Sequence, residues 1–334
     1  MKKKCALLLL CCLALTGCAA APQGGPAAEI PEEKRLILYT SHKTEVYLPI
    51  VQEFERRTGI WIQVETGGTN ELLARIARED GAAGADLMFG GGVESLRAYQ
   101  DYFLPYTGEA LTGVDAAYQP AGKWAPFSSL PLVLIYQPKL VKAPPSGWAD
   151  LLSGRWKGQI AFADPTVSGS SYTALATILQ TLPGEDAALI SALAENLAGR
   201  MLNGSGEVTG AVASGRYLVG VTLEETARKA IAGGADLAMI YPEEGTSAVP
   251  DGVALLRGGK HPENARQFID FVLGLDMQRR LSALFYRRPV LTAAEERENG
   301  GALRLCDYDI AWAGENQAQV LACWQAAVKG GGAE

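Results

Sequence analysis

Apolar positions along the chain alternate between two rhythms. Residues 35–40 (Arg35-Leu36-Ile37-Leu38-Tyr39-Thr40) form a short β-rich run, and residues 45–57 then carry apolar side chains at helical spacing, which predicts a strand followed by a helix. The same pair returns at 60–65 with 70–78, and at 86–89 with 93–102. Strands that alternate with helices predict an α/β fold on mostly parallel sheets, because a parallel partner needs a crossover helix.

Between 123 and 136 the rhythm changes to an extended, Pro-punctuated apolar segment that reads as a crossover into a second lobe. There the alternation resumes. Strands are expected at 159–163, 218–221 and 237–241, with helices at 171–180, 187–196, 209–213 and 223–232. Residues 245–256 read as a return to the first lobe, whose helix over 262–273 begins with Pro262, the residue favoured at a first helical turn. Two crossings make a two-stranded hinge. The expected organisation is a first lobe of 35–128 plus 247–295, a second lobe of 129–246, and a C-terminal loop-helix extension over 296–334.

The N-terminus follows neither rhythm. Lys2, Lys3 and Lys4 precede an apolar stretch far shorter than the roughly 20 residues that span a bilayer. Residues 1–17 therefore read as a signal peptide. Leu15-Thr16-Gly17-Cys18 resembles the bacterial lipobox, which implies lipid on Cys18 and an anchor outside the cytoplasm. Residues 18–34 are Ala-, Pro- and Gly-rich without period, a flexible tether. A net charge of -7 with no basic stripe argues against nucleic acid as a partner. Beyond Cys18 the mature chain has two cysteines, Cys306 and Cys323, a candidate disulfide in an oxidising compartment.

Chemistry is expected at the carboxyl ends of the strands, where ligands of open α/β sheets lie. The turns there share a composition: Thr40-Ser41-His42-Lys43, Thr66-Gly67-Gly68-Thr69-Asn70, Gly90-Gly91-Gly92, Asp164 to Ser171 with Ser168-Gly169-Ser170-Ser171 at its end, and Ser205-Gly206-Glu207. Free backbone N–H groups, hydroxyls and helix-dipole ends of this kind converge on an oxyanion, although each hydroxyl taken singly is also an ordinary helix cap. His42 is a candidate ligand contact, while His261 reads as solvated. Thr222, Glu224 and Glu225 end another strand and are placed to read hydroxyls or an amine; Arg287 and Arg288 read as surface or structural. No nucleophile elbow or metal-spaced His/Cys/Asp cluster is present, so neither an enzyme nor a cofactor is expected.

At these same turns the chain resembles the extracellular solute-binding proteins of bacterial ABC importers, in the branch with ferric-ion, phosphonate and hexose-phosphate binders. The likeness spans about residues 35–325 and is carried by Leu38-Tyr39-Thr40-Ser41-His42-Lys43, Ala85-Asp86-Leu87-Met88-Phe89-Gly90-Gly91-Gly92, Phe162 to Ser171, Tyr241-Pro242-Glu243-Glu244-Gly245-Thr246 and Gly258 to Ala265. It implies a type II periplasmic-binding-protein fold, a monomer that closes on a small solute and presents it to a membrane permease. Ferric binders of this branch use a His in the first turn, a Glu after the third strand and a Tyr-Tyr pair in the second lobe. Only His42 matches; the Glu position holds Gly90-Gly91-Gly92 and the tyrosines give way to Glu224-Glu225. The expected ligand is a phosphorylated organic solute held by Ser41, Gly68, Thr69, Gly91 and Ser168 to Ser171. Ferric iron on His42, Glu224 and Glu225 is the alternative, and a ligand-sensing subunit or a surface antigen are further readings.

Overall fold

A computed structural model describes residues 30–80, 84–119, 122–294 and 303–330. The predicted pairs appear in order: β1 (Arg35–Thr40) with α1 (Thr44–Thr58), β2 (Trp61–Thr66) with α2 (Thr69–Arg78), and β3 (Leu87–Gly92) with the short α3 (Val93–Ala98). After the two-residue β4 (Phe103–Leu104) comes the long β5 (Ala125–Tyr136). Next stand β6 (Ile160–Ala161), α4 (Gly169–Thr181), α5 (Asp186–Leu197), α6 (Val208–Ala213), β7 (Val219–Leu223), α7 (Glu224–Ala232) and β8 (Ala238–Ile240). The chain returns along β9 (Ala248–Leu256) into α8 (Pro262–Leu273), α9 (Leu275–Phe285), β10 (Arg288–Pro289) and α10 (Ile310–Gly330).

The sheet is mixed where mostly parallel strands were expected. β1 lies parallel to both β2 and β3, and β6 parallel to β7, as crossover helices require. The long strands run against them: β9 is antiparallel to β3 and to β5, and β5 is antiparallel to β7, β8 and β10. The reason is connectivity, since a strand that leaves one group of elements and another that comes back necessarily run in opposite directions.

Apolar side chains gather on the two sides of this crossing. Leu36, Leu38, Phe54, Phe89, Phe127 and Phe268 lie in one core with β1, β3, β9 and α8. Leu134, Trp148, Phe162, Tyr172, Leu175 and Val219 lie in another with β5, β7 and α4. β5 serves both: Ala125 to Pro131 pair with β9, and Leu132 to Tyr136 with β7.

Four expectations change. The C-terminal helix is part of the second core, because Ala313, Val320 and Trp324 of α10 are buried in it. Residues 30–34, assigned to the tether, are docked: Glu32–Lys34 form a 3-10 turn, and Asn264 Nδ2 donates to Glu33 O at 3.0 Å. His261 is buried rather than solvated, its Nδ1 2.8 Å from Asp86 and its Nε2 3.2 Å from Glu32. Cys306 and Cys323 are free thiols, not a disulfide. Their surroundings differ, Cys306 sitting at a backbone pairing with Thr246 while Cys323 packs on α10 against the second core. Cys18 and the signal segment lie outside the described residues.

Candidate functional site

The turns singled out by composition meet at one cavity of about 670 Å³, within the range of small-molecule sites. Ser41, His42, Gly68, Thr69, Gly91, Ser168, Gly169, Ser170, Thr222 and Glu225 all line it. Two expected residues do not. Ser171 turns inward, where its backbone N–H and hydroxyl reach Ser168 Oγ at 3.3 and 3.1 Å. Glu224 is occupied by Arg288, which donates from Nε and Nη2 at 2.7 and 2.9 Å, and by the Tyr241 hydroxyl.

Two helix starts face each other across the cavity. A Cβ on Gly169, at the first turn of α4, would lie 3.3 Å from Thr69 Oγ1, and one on Gly68, the N-cap of α2, would lie 3.3 Å from Val167 O. The glycine turn closes the same end. Gly91 has φ +87°, and a Cβ there would stand 2.5 Å from Thr69 Cγ2, so the position demands a residue that tolerates left-handed backbone and carries no side chain. Asn70 adds an amide whose N and O are both buried without a protein partner, a pair of groups that a bound solute can satisfy.

The opposite charge pattern comes from parts of the chain far apart in sequence. Asp251 on β9 accepts from Ser128 N and Oγ at 2.8 and 2.7 Å through one oxygen, and from His42 Nε2 and Arg287 Nη1 at 2.6 and 2.5 Å through the other. Burial by itself would raise its pKa, yet Arg287, His42 and Ser128 outweigh that and hold it at about 2. His42 is wedged against Phe89, ring centroids 4.3 Å apart, and burial lowers its pKa. The carboxylate at Nε2 fixes the tautomer: the neutral ring donates there, which leaves Nδ1, buried and unpartnered, as a bare acceptor. Arg287 has one edge on Asp251, a buried Nε with no partner, and Nη2 4.0 Å from Glu225.

Arg287 and Asp251 are therefore site residues that the sequence did not reveal, Arg287 having been read as surface or structural. The available signal was the tandem Glu224-Glu225 and the tandem Arg287-Arg288, which pair one to one in space. Among the described residues, no three His, Cys, Asp or Glu side chains gather as a metal site. No described helix is long and apolar enough to cross a membrane.

Comparison with known proteins agrees with this architecture. Residues 82–310 match the family described as bacterial extracellular solute-binding protein. Iron uptake protein A1 of Synechocystis sp. is 28% identical over 299 residues, covering 83% of this chain and 81% of that protein. A Salmonella typhimurium periplasmic protein, put forward by its name as a 2-aminoethylphosphonate binder, is 25% identical over 253 residues, 71% of this chain and 72% of its own. Among solved structures, the periplasmic binding protein AfuA from Actinobacillus pleuropneumoniae, with fructose-6-phosphate bound, superposes with a TM-score of 0.81 at 24% identity, covering 88% of this chain and 98% of that one. These relatives are uptake and binding proteins rather than enzymes. The chain belongs to the bacterial extracellular solute-binding protein family, with the type II periplasmic-binding-protein fold and the role of a solute-binding protein of the ABC importer type.

Proposed function

We propose that this protein captures a small phosphorylated organic solute, such as a sugar phosphate, phosphoglycerate or phosphonate, and delivers it to an ABC permease. The observation that carries the reading is the convergence of the α2 and α4 N-termini with the Gly90–Gly92 turn on one cavity. Helix starts present unpaired N–H groups and a partial positive charge, which suit an oxyanion. Side-chain charge alone does not select one: Arg287 and Lys43 are offset by Asp251, Glu225 and Glu71. The phosphate is thus assigned to backbone and hydroxyl donors, and the organic part to Thr222, Glu225 and His42 Nδ1, an acceptor for a hydroxyl or amine.

In this reading the two cores are lobes, 35–128 plus 247–295 and 129–246, and β5 with β9 forms the hinge. Cross-lobe contacts at the rim fit a closed form, with Lys229 Nζ 3.0 Å from Glu45 and Lys43 Nζ 3.4 Å from Thr226. Lipid on Cys18 would hold the protein beside its permease and raise the effective concentration there; Cys18→Ser should release it into the soluble fraction.

Ferric iron is the second reading, favoured by the name of the Synechocystis relative and by the bare His42 Nδ1. It loses a donor here, because the Glu224 carboxylate is taken by Arg288. Calorimetric titration with fructose 6-phosphate, 2-aminoethylphosphonate and ferric citrate separates the two. Tight iron binding with a visible charge-transfer band, and no heat from any phosphate compound, would sink the phosphate reading. The sensory alternative uses the same capture step and is separated from transport by an uptake assay in a deletion strain.

A further inference from the structure

Beneath the cavity lies a carboxylate that the capture reading does not use. Glu94 stands in the first turn of α3 and is fully buried. One of its oxygens meets the Thr173 hydroxyl of α4, and the other has no partner. Gly92 and Thr173, which flank it, both line the cavity. Gly92 is shaped around the carboxylate, since a Cβ there would lie 2.4 Å from Glu94 Oε2, and Gly314 of α10 closes over the Glu94 carbonyl in the same way at 2.9 Å. Glu94 belongs to α3, whose Val93 and Leu96 pack with Leu73, Met88 and Trp124 on the β1–β3 side, and Thr173 to α4, whose Tyr172 and Leu175 lie in the second core, so their hydrogen bond joins the two sides of the molecule beneath the cavity lining.

Among the described residues, no cation pairs with the buried carboxylate. On α3 itself, Arg97 is engaged by Glu315 at 3.0 Å. From β9, Asp251 stands opposite Gly92 in register but is held by Arg287 and His42. From α4 the titratable neighbour is Tyr172, and from the segment before α10 it is Tyr308, with Cys306 and Asp309 beside it; these phenols are themselves pushed upward by burial. The hydrogen-bond chemistry favours the acid form. Thr173 Oγ1 already donates to Gly169 O at 3.1 Å, so a protonated Glu94 can donate to Thr173 and complete a relay of O–H groups into α4. An ionised Glu94 has to take the one hydroxyl proton away from that carbonyl.

We infer that Glu94 is a proton site coupled to the cleft: the form in which the two cores meet takes up one proton on the Glu94 carboxyl, and the form in which they part releases it to water. This rests on the cavity being a closing cleft, as proposed above, and not on which solute fills it. Burial raises the carboxyl to about 7, against a downward pull from Thr173 and a backbone N–H. When the cores separate, Thr173 withdraws and water reaches the group, which returns it toward its ordinary 4.5. The sign follows from the raised value. Closure is favoured fully below about pH 4.5, loses up to tenfold per pH unit as pH rises toward about 7, and is constant above that, a total of at most about 300-fold. Solute is therefore captured together with a proton, and release is easier at the alkaline end.

The test uses the full mature protein, ligand-free, by small-angle scattering and thermal melting from pH 4.5 to 8.5. Wild type is expected to expand and melt lower as pH rises through the window, and E94Q to stay compact throughout. A wild-type protein without this transition, or an E94Q protein that keeps it, overturns the inference. Should E94Q not fold, carbon-13 NMR of the wild-type Glu94 carboxyl decides, with an ordinary midpoint near 4.5 counting against it. Fructose 6-phosphate serves as the separate probe of the cavity: binding that weakens with pH in wild type but not in E94Q supports the coupling. Absence of binding at every pH removes the phosphate reading and leaves the scattering result to judge Glu94.

Discussion

Glu224 and Glu225 are neighbours in sequence with different work. Consecutive residues of a helix point about 100° apart, so at the start of α7 one carboxylate reaches Arg288 and Tyr241 while the other reaches the cavity and Arg287. Glu224→Gln should lower stability by about 2–3 kcal/mol in chemical denaturation, because it leaves the half-buried Arg288 without its carboxylate, and should change solute affinity little. Glu225→Gln should do the reverse. Equal effects of the two substitutions on affinity would contradict the assignment. Asp251 gives a pH signature. Its folded pKa of about 2 lies below the ordinary 3.8, so its stabilisation is present above about pH 4 and is lost as pH falls toward 2, about 2 kcal/mol in all. Asp251→Asn should flatten that acid limb of the stability curve. None of this cluster was legible beforehand except His42, because Ser128 on β5, Asp251 on β9 and Arg287 just before β10 are far apart in sequence and no local pattern encodes their proximity.

At the scale of elements, the strand-to-helix turns were readable because their chemistry is local. A turn that ends a strand and opens a helix needs a cap hydroxyl or a glycine, and Ser168, Gly68 and Gly91 supply them where composition said they would. Gly91→Ala should cost about 1–3 kcal/mol for the left-handed backbone it would have to adopt, and should abolish solute binding by pushing Thr69 away; a variant with wild-type affinity would show that the turn is only structural. The cysteines teach the opposite lesson. Their count and compartment suggested a bridge, but bridging depends on Cα separation and on the direction of each side chain. Two thiols per chain should react with Ellman reagent in denaturant without reductant when the chain starts after Cys18 and so keeps only Cys306 and Cys323, and none would restore the disulfide. The mixed sheet has a similar origin: local rhythm identifies strands, whereas the direction of β5 and β9 depends on where the chain has to go.

For the whole molecule, α10 matters more than its position at the chain end suggested. It meets α3 through Gln317 on Ser95 at 3.2 Å and Glu315 on Arg97, and the second core through the Tyr172 hydroxyl on Ala313 O and through buried Trp324. Trp324→Ala should remove about 3–5 kcal/mol and lower the melting temperature of the entire protein in a single transition. A separate early transition confined to the C-terminus would mean that α10 is an accessory.

Sequence alone determined the order of strands and helices, the composition of the turns and the family likeness, because periodicity and capping act within a few residues. It also placed ten of the twelve expected ligand residues at one cavity, since the carboxyl ends of strands in such sheets share one edge. The tertiary structure decided which of two adjacent glutamates lines the cavity, brought Arg287 and Asp251 to His42, left Cys306 and Cys323 unbridged, and buried Glu94 between α3 and α4. These outcomes depend on burial and on contacts between residues far apart in sequence, whose energies exist only once the chain has packed.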